Sequence, residues 1–161
     1  MKKVIALFMV LLALGSCTSE QQAEKKGTAF EQYTDSITKV YPNYAGNIAV
    51  AKQICGDFEK HLGTMPGILE GSEFTLDDNS IAEIDGKILV MFSYKYKGEN
   101  ITSLSVYCED LDPQLASTLN SEKPYKITGG TFDHYEPVHG MAAQWLQLGT
   151  VYVRDLKVEE M

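Results

Sequence analysis

Lys87-Ile88-Leu89-Val90-Met91-Phe92-Ser93-Tyr94-Lys95-Tyr96-Lys97, continued by Gly98-Glu99-Asn100-Ile101, is the stretch on which the fold turns. Its β-branched and aromatic residues favour extended chain, and the two-residue period of a strand puts Phe92, Tyr94 and Tyr96 on one face. Lys97-Gly98-Glu99-Asn100 has the composition of a turn, so the segment predicts a hairpin running into a second strand, Asn100 to Cys108. Upstream, Ile68 to Leu76 reads as another strand, and Asp77-Asp78-Asn79-Ser80 and Asp85-Gly86 supply turns before Lys87. Downstream, Leu111 to Asn120 reads as a short helix, with Asp112 as N-cap and Pro113 at its first position. Two more strands follow, Tyr125 to Asp133 and Trp145 to Val158, with a loop from Tyr135 to Ala142 between them.

Two helices precede this region. Phe30, Tyr33, Ile37, Val40 and Tyr41 recur at three- and four-residue intervals, the spacing of one helical face, and Tyr41-Pro42-Asn43 ends the run because a residue before proline is pushed out of helical geometry. Ile48, Ala51, Ile54, Cys55, Phe58 and Leu62 repeat the pattern, with Gly63 as its stop. Gly56 inside this second helix costs about 1 kcal/mol relative to alanine, which burial of the apolar face offsets.

The first residues have a different character. Met1-Lys2-Lys3, the apolar run Val4 to Leu14 and the ending Leu14-Gly15-Ser16-Cys17 form a basic start, a short greasy segment and a small-small-Cys close. The run is about 11 residues long, where a bilayer-spanning helix needs about 20. The pattern resembles the lipobox of bacterial lipoproteins. That resemblance implies that residues 1–16 are a signal peptide cut before Cys17, and that Cys17 carries a thioether-linked diacylglycerol and an N-acyl group. Two or more acyl chains hold a protein on a membrane far more firmly than one. Thr18, rather than Asp, beside the cysteine suits onward transport to an outer membrane. Residues 17–27 are polar and read as a disordered tether, leaving 28–161 as a single domain with a helical part over 28–63 and strands over 68–158.

The order of three strands, a short helix and two strands is that of the five-stranded OB barrel, in which the helix closes one end between strands three and four. On Cys17 with its lipobox, on Leu111 to Asn120 followed by Pro124-Tyr125-Lys126-Ile127-Thr128-Gly129-Gly130, and on the final strand, the chain resembles bacterial lipoproteins that carry an OB-fold domain of the anticodon-binding type. The resemblance implies an α+β chain in which N-terminal helices precede an OB-like barrel, serving as a binding scaffold. The rival architecture is an open α+β sheet with both N-terminal helices on one face.

Charge narrows the partners. With 14 basic and 22 acidic residues the chain carries a formal net charge of −8, which repels phosphate backbones, and the strands offer Lys87, Lys95 and Lys97 but no long basic groove. Nucleic acid is therefore excluded as the expected partner. Exposed aromatic rings on Tyr94, Tyr96 and Tyr135 are the candidates for stacking on a sugar or gripping a peptide, whereas Phe92 and Trp145 read as core. Once Cys17 is lipidated, Cys55 and Cys108 remain, either as a disulfide permitted by an exported compartment or as two buried thiols.

The densest polar cluster is Asp133-His134-Tyr135-Glu136-Pro137-Val138-His139. His134, Glu136 and His139 would make a three-ligand set suited to zinc if the loop folded back. No Gly-x-Ser-x-Gly, Ser-x-x-Lys or Gly-x-x-x-x-Gly-Lys motif occurs, so neither a nucleophile turn nor a phosphate cradle is present and no cofactor is implied. The sequence thus predicts a non-enzymatic, membrane-anchored envelope lipoprotein that binds a protein, a peptide or a glycan, with a metal-dependent hydrolase at His134, Glu136 and His139 as the alternative. Replacing Cys17 by serine should abolish incorporation of radiolabelled fatty acid and block processing; equal label on the two proteins would refute the anchor.

Overall fold

The computed structural model describes residues 27–63, 67–97, 101–138 and 146–161, and within these the side chains of 96, 97 and 101 are left aside. The lipobox, Cys17 and nearly all of the tether lie outside the described residues, as do His139 and Trp145.

Helix α1 covers Ala29–Val40 and starts on a reciprocal cap: the Glu31 amide donates to Thr28 Oγ1 at 3.3 Å while the Thr28 amide donates to Glu31 Oε2 at 2.7 Å. Helix α2 covers Ile48–His61, and Asn47 Oδ1 accepts from the amides of Ala49 and Val50. Gly67–Leu69 forms a single 3-10 turn where the sequence predicts the start of a strand. The strands are β1 (Glu73–Ile84), β2 (Lys87–Lys97), β3 (Ile101–Cys108), β4 (Pro124–Glu136) and β5 (Leu146–Glu160). Helix α3, Pro113–Thr118, lies between β3 and β4, and Asp112 Oδ1 caps it by accepting from Gln114 and Leu115. No helix among the described residues is long and apolar enough to cross a membrane.

Two turn signals meet different fates. Asp85-Gly86 is a two-residue hairpin turn with φ of 53° and 77°, the left-handed pair that matches strand twist, and it joins Ile84 to Lys87. Asp77-Asp78-Asn79-Ser80 does not end its strand. It bulges out of β1, so that Leu76 faces Phe92 and Ile81 already faces Val90, and Asn79 takes φ 63° at the crest. Ser80 Oγ donates to the Asp77 carbonyl and Ser93 Oγ to Asp77 Oδ2 at 2.7 Å, so the bulge carries its own hydrogen bonds.

Pairing runs β1-β2-β3-β5-β4 and returns to β1, with β3 and β5 parallel and every other pair antiparallel. The circuit is uneven, and the expectation of an OB-like barrel needs correction on this point. Among the described residues β1 and β4 meet only at Glu73–Lys126, Phe74–Tyr125 and Thr75–Pro124, whereas β4 stays paired with β5 from Tyr125 to Glu136. Beyond that seam other elements flank the strands. Leu76 to Ile81 share a cavity with Leu119, Asn120 and Ser121 after α3, and on the far half of β4 Tyr135 packs edge-on against Phe58 of α2. The architecture is a five-stranded α+β sheet that closes on itself in the order β1-β2-β3-β5-β4 through a short β1–β4 seam, a closure much shorter than that of a barrel laddered evenly around its circumference.

One continuous core fills it. Val90, Phe92, Tyr94, Leu104, Val106, Ile127, Leu148 and Val151 point inward from four strands, and Phe30, Ile54 and Phe58 come down from the helices. Phe30 is the wedge: its ring lies 4.7 Å from Tyr94 and 5.7 Å from Phe58, edge-on and tilted arrangements that suit aromatic quadrupoles. At the other end Leu111 is buried, and its amide donates to the Ile88 carbonyl at 2.9 Å, which ties the start of α3 to β2. Phe30→Ala removes a wholly buried ring and should lower the unfolding free energy by about 3–5 kcal/mol in a urea titration, the range for such truncations. A loss under 1 kcal/mol would mean that the helices are not part of the cooperative unit.

Candidate functional site

Of the rings that strand parity groups together, Phe92 and Tyr94 face inward. Tyr94 is 3% exposed and packs on Phe30 and Phe74, so it is not presented to a ligand, and the side chain of Tyr96 lies outside the described residues. Tyr135, expected at the rim, is also core. It is 8% exposed, stacks edge-on against Phe58 at 5.5 Å and donates its hydroxyl to the Leu148 carbonyl. Burial first, and the neighbouring Cys55 thiol second, push its hydroxyl well above the usual phenol range. These tyrosines hold the fold together; they are not stacking platforms.

The residues that alternate with them face solvent. Met91 on β2 pairs with Tyr107 on β3, Tyr107 with Tyr152 on β5, and Tyr152 with His134 on β4, so one register row carries three rings across three adjacent strands. Tyr107 and Tyr152 meet edge to face at 5.1 Å, and the His134 ring stacks on Tyr152 at 4.0 Å with only 10° between the planes. Polar contacts lock the row. Tyr152 donates to Glu136 Oε2 at 3.0 Å, His134 Nδ1 lies 2.8 Å from Asp133 Oδ2, and Arg154 Nε lies 3.0 Å from Asp133 Oδ1. Partial burial first, then the bond to Glu136, raises the Tyr152 hydroxyl above its ordinary value.

The polar cluster over 133–136 therefore sits on a strand, not in a loop. A shift in register between Phe132 and His134 leaves Asp133 without an opposite number on β5, and this bulge turns Asp133 and His134 to solvent together. The His134 hydrogen bond, with Arg154 adding to it, holds the Asp133 carboxyl below the usual carboxylate range despite some desolvation. Its favourable contribution is present at neutral pH and is lost as pH falls through that depressed value. The expected metal set is not assembled among the described residues. No group of three or more His, Cys, Asp or Glu is placed to hold a metal there, His134 Nε2 is 4.0 Å from Glu136 Oε1, and His139 lies outside them. The two cysteines are free and buried: Cys55 Sγ points to the Leu148 carbonyl at 3.7 Å, and burial raises the Cys108 thiol.

Beside the ring row lies a second outward row, Ser93, Ser105, Thr150 and Glu136, one per strand. Small side chains beside large ones leave a shallow cavity of about 240 Å³, lined by Ser103, Ser105, Gln147, Gly149, Thr150 and Val138. It depends on a bulge in β5, where Ser103 faces Gln147 but Ser105 faces Thr150, so β5 carries one residue more. Gly149 occupies the bulge at φ 110°, and a β-carbon there would strike the Glu136 carbonyl and approach Pro137 Cα to 3.0 Å. Sequence reasoning missed Tyr152, Thr150 and Ser105. The alternation of Val151 and Val153 with Tyr152 and Arg154 signals an outward Tyr152, but the bulge reverses parity between Gln147 and Thr150 and hides the rest.

No family model, curated protein or solved structure matches this chain. The resemblance to OB-fold lipoproteins is corrected accordingly, because no membership in that family is found. The residues on which it rested have local duties that many chains share: Asp112 caps a helix, Pro124 and Tyr125 sit at the β1–β4 seam, and Gly129 falls where β4 slips register against β5. Replacing Gly149 by alanine combines an unfavourable left-handed φ with a backbone clash, and should cost roughly 1–3 kcal/mol or more in urea unfolding. A variant as stable as the wild type would show that the close approach of β5 to residues 136–138 is wrong.

Proposed function

We propose that this chain is a non-enzymatic binding module of a bacterial envelope, anchored through lipid on Cys17, and that it meets its partner with the outward face of β3, β5 and β4. The observation that carries the reading is the locked row Tyr107–Tyr152–His134. Aromatic side chains that are partly exposed and held in one orientation by neighbours are the kind that dominate recognition surfaces, since little rotamer entropy is lost when they are covered; here the rings contact one another, and Tyr152 and His134 are hydrogen-bonded as well. The face adjoins a shallow cavity of about 240 Å³, smaller than the clefts that usually enclose a small-molecule substrate.

Support for the anchor comes from Leu14-Gly15-Ser16-Cys17 and the polar stretch after it, which would let the domain stand off a membrane by the length of a flexible linker. The acidic surface keeps the domain from adhering to anionic headgroups and leaves the aromatic face as its contact zone. The test is an amide chemical-shift map of the Cys17→Ser full chain during titration with separated protein, peptide and glycan fractions of a bacterial envelope. Shifts should cluster on Tyr107, Thr150, Tyr152 and Glu136. Clustering on α3 or on the Asp85-Gly86 hairpin instead would sink the assignment of the face.

A further inference from the structure

We infer that the ligand class of this face is an uncharged oligosaccharide, one ring of which enters the cavity between Ser105 and Thr150 while the next lies against Tyr152; the inference rests on the reading of the face as a binding surface. A pyranose presents hydroxyls around its rim and apolar C–H bonds on its faces, so it needs neutral donors and acceptors beside an aromatic wall. That is the local arrangement. The lining includes Ser103, Ser105, Thr150 and Gln147, hydroxyl and amide groups that both donate and accept, beside Leu104 and Val138, and the adjoining register row supplies Tyr107 and Tyr152. Glu136 spends one oxygen on the Tyr152 hydroxyl, and its other oxygen, 4.0 Å from His134 Nε2, is placed at the edge to accept from a ligand hydroxyl.

Competing ligands fit less well. A peptide added as an extra strand gains its affinity from unpaired backbone groups, but β3 is flanked by β2 and β5, and β5 by β3 and β4, so the floor offers side chains alone. A polyanion meets a chain of net charge −8 with Glu136 opposite Thr150 at the cavity. A basic peptide needs several carboxylates, and of the two here, Glu136 and Asp133, the latter is already engaged with Arg154 and His134. A hydrocarbon chain would desolvate the hydroxyl floor without replacing its hydrogen bonds. The cavity, about 240 Å³, is smaller than the roughly 300–1,000 Å³ that encloses a drug-sized ligand, which suits one ring of a longer chain lying across the surface.

The experiment titrates the Cys17→Ser full chain with cellohexaose, maltohexaose, chitohexaose, decalysine and polygalacturonate, reading amide shifts and binding heat. At least one neutral hexasaccharide should bind, move the amides of Ser105, Thr150 and Tyr152, and lose about tenfold or more in affinity with either Tyr152→Ala or Thr150→Val. Its affinity should change little between about 0.05 and 0.5 M salt, since no ion pair is formed. Thr150→Val keeps shape and strand preference, so its loss reports the hydroxyl and not unfolding. Binding of decalysine or polygalacturonate at the same amides, with no hexasaccharide bound, would overturn the sugar and leave the face standing. Shifts elsewhere, indifferent to both substitutions, would overturn the face as well, and a failure of all three hexasaccharides to bind would overturn the sugar.

Discussion

A chain of buried rings, Phe74, Tyr94, Phe30, Phe58 and Tyr135, with successive centroids 5.5, 4.7, 5.7 and 5.5 Å apart, is the interaction on which the rest of the molecule depends. It crosses from β1 and β2 through both N-terminal helices to β4. Strand pairing between β1 and β4 is confined to the short seam at Glu73 to Thr75, so backbone hydrogen bonds alone would leave a long gap along β4. The rings reach across to β4 at Tyr135. Each contributes a large apolar area, and the tilted and edge-on contacts add a smaller directional term that fixes how the helices sit. Tyr135 then hands the constraint on to β5 through its hydroxyl on the Leu148 carbonyl.

Fixing Leu148 matters because the next residue is the bulge. Gly149 lets β5 take its extra residue and lets the backbone after β4 pass close by, and the outward positions of β5 change from Gln147 to Thr150 as a result. The second bulge, at Asp133, does the same for β4 and brings His134 over Tyr152. Two irregularities in adjacent strands thus compose one face: a small-residue depression and a wall of rings are brought side by side. Bulges often re-aim side chains in this way. The aromatic residues inside the molecule stabilise it, and the aromatic residues outside it are ordered by polar contacts, so the same residue type does two different jobs on opposite sides of one sheet.

Much of the secondary structure is legible in the chain. The capping residue Asp112, the apolar spacing of Phe30 to Tyr41 and of Ile48 to Leu62, and the turn pair Asp85-Gly86 all act through neighbours a few residues away, so their effect can be read without the fold. Asp77 to Ser80 misleads because a wide bulge and a turn use the same residues, and only the partner strand decides between them. Tyr94 and Tyr135 mislead for another reason. A two-residue period assigns them to a face, but a tyrosine is tolerated on either side of a sheet, and nothing local says which side is covered by helices.

The sequence by itself determined the helices, the approximate strands, the acidic charge and the closeness of Asp133, His134 and Glu136 along the chain, because these follow from composition, period and spacing. It also determined that Tyr107 and Tyr152 alternate with apolar neighbours and so face away from them. Only the tertiary structure decided that those two rings and His134 lie in one register row, that the β1–β4 seam is short, and that Thr150 stands beside Ser105. Each of these rests on pairing between segments distant in sequence and on bulges that displace the pairing by one residue. A one-residue slip exchanges the two faces of a strand, so no reading of a strand in isolation could have placed this site.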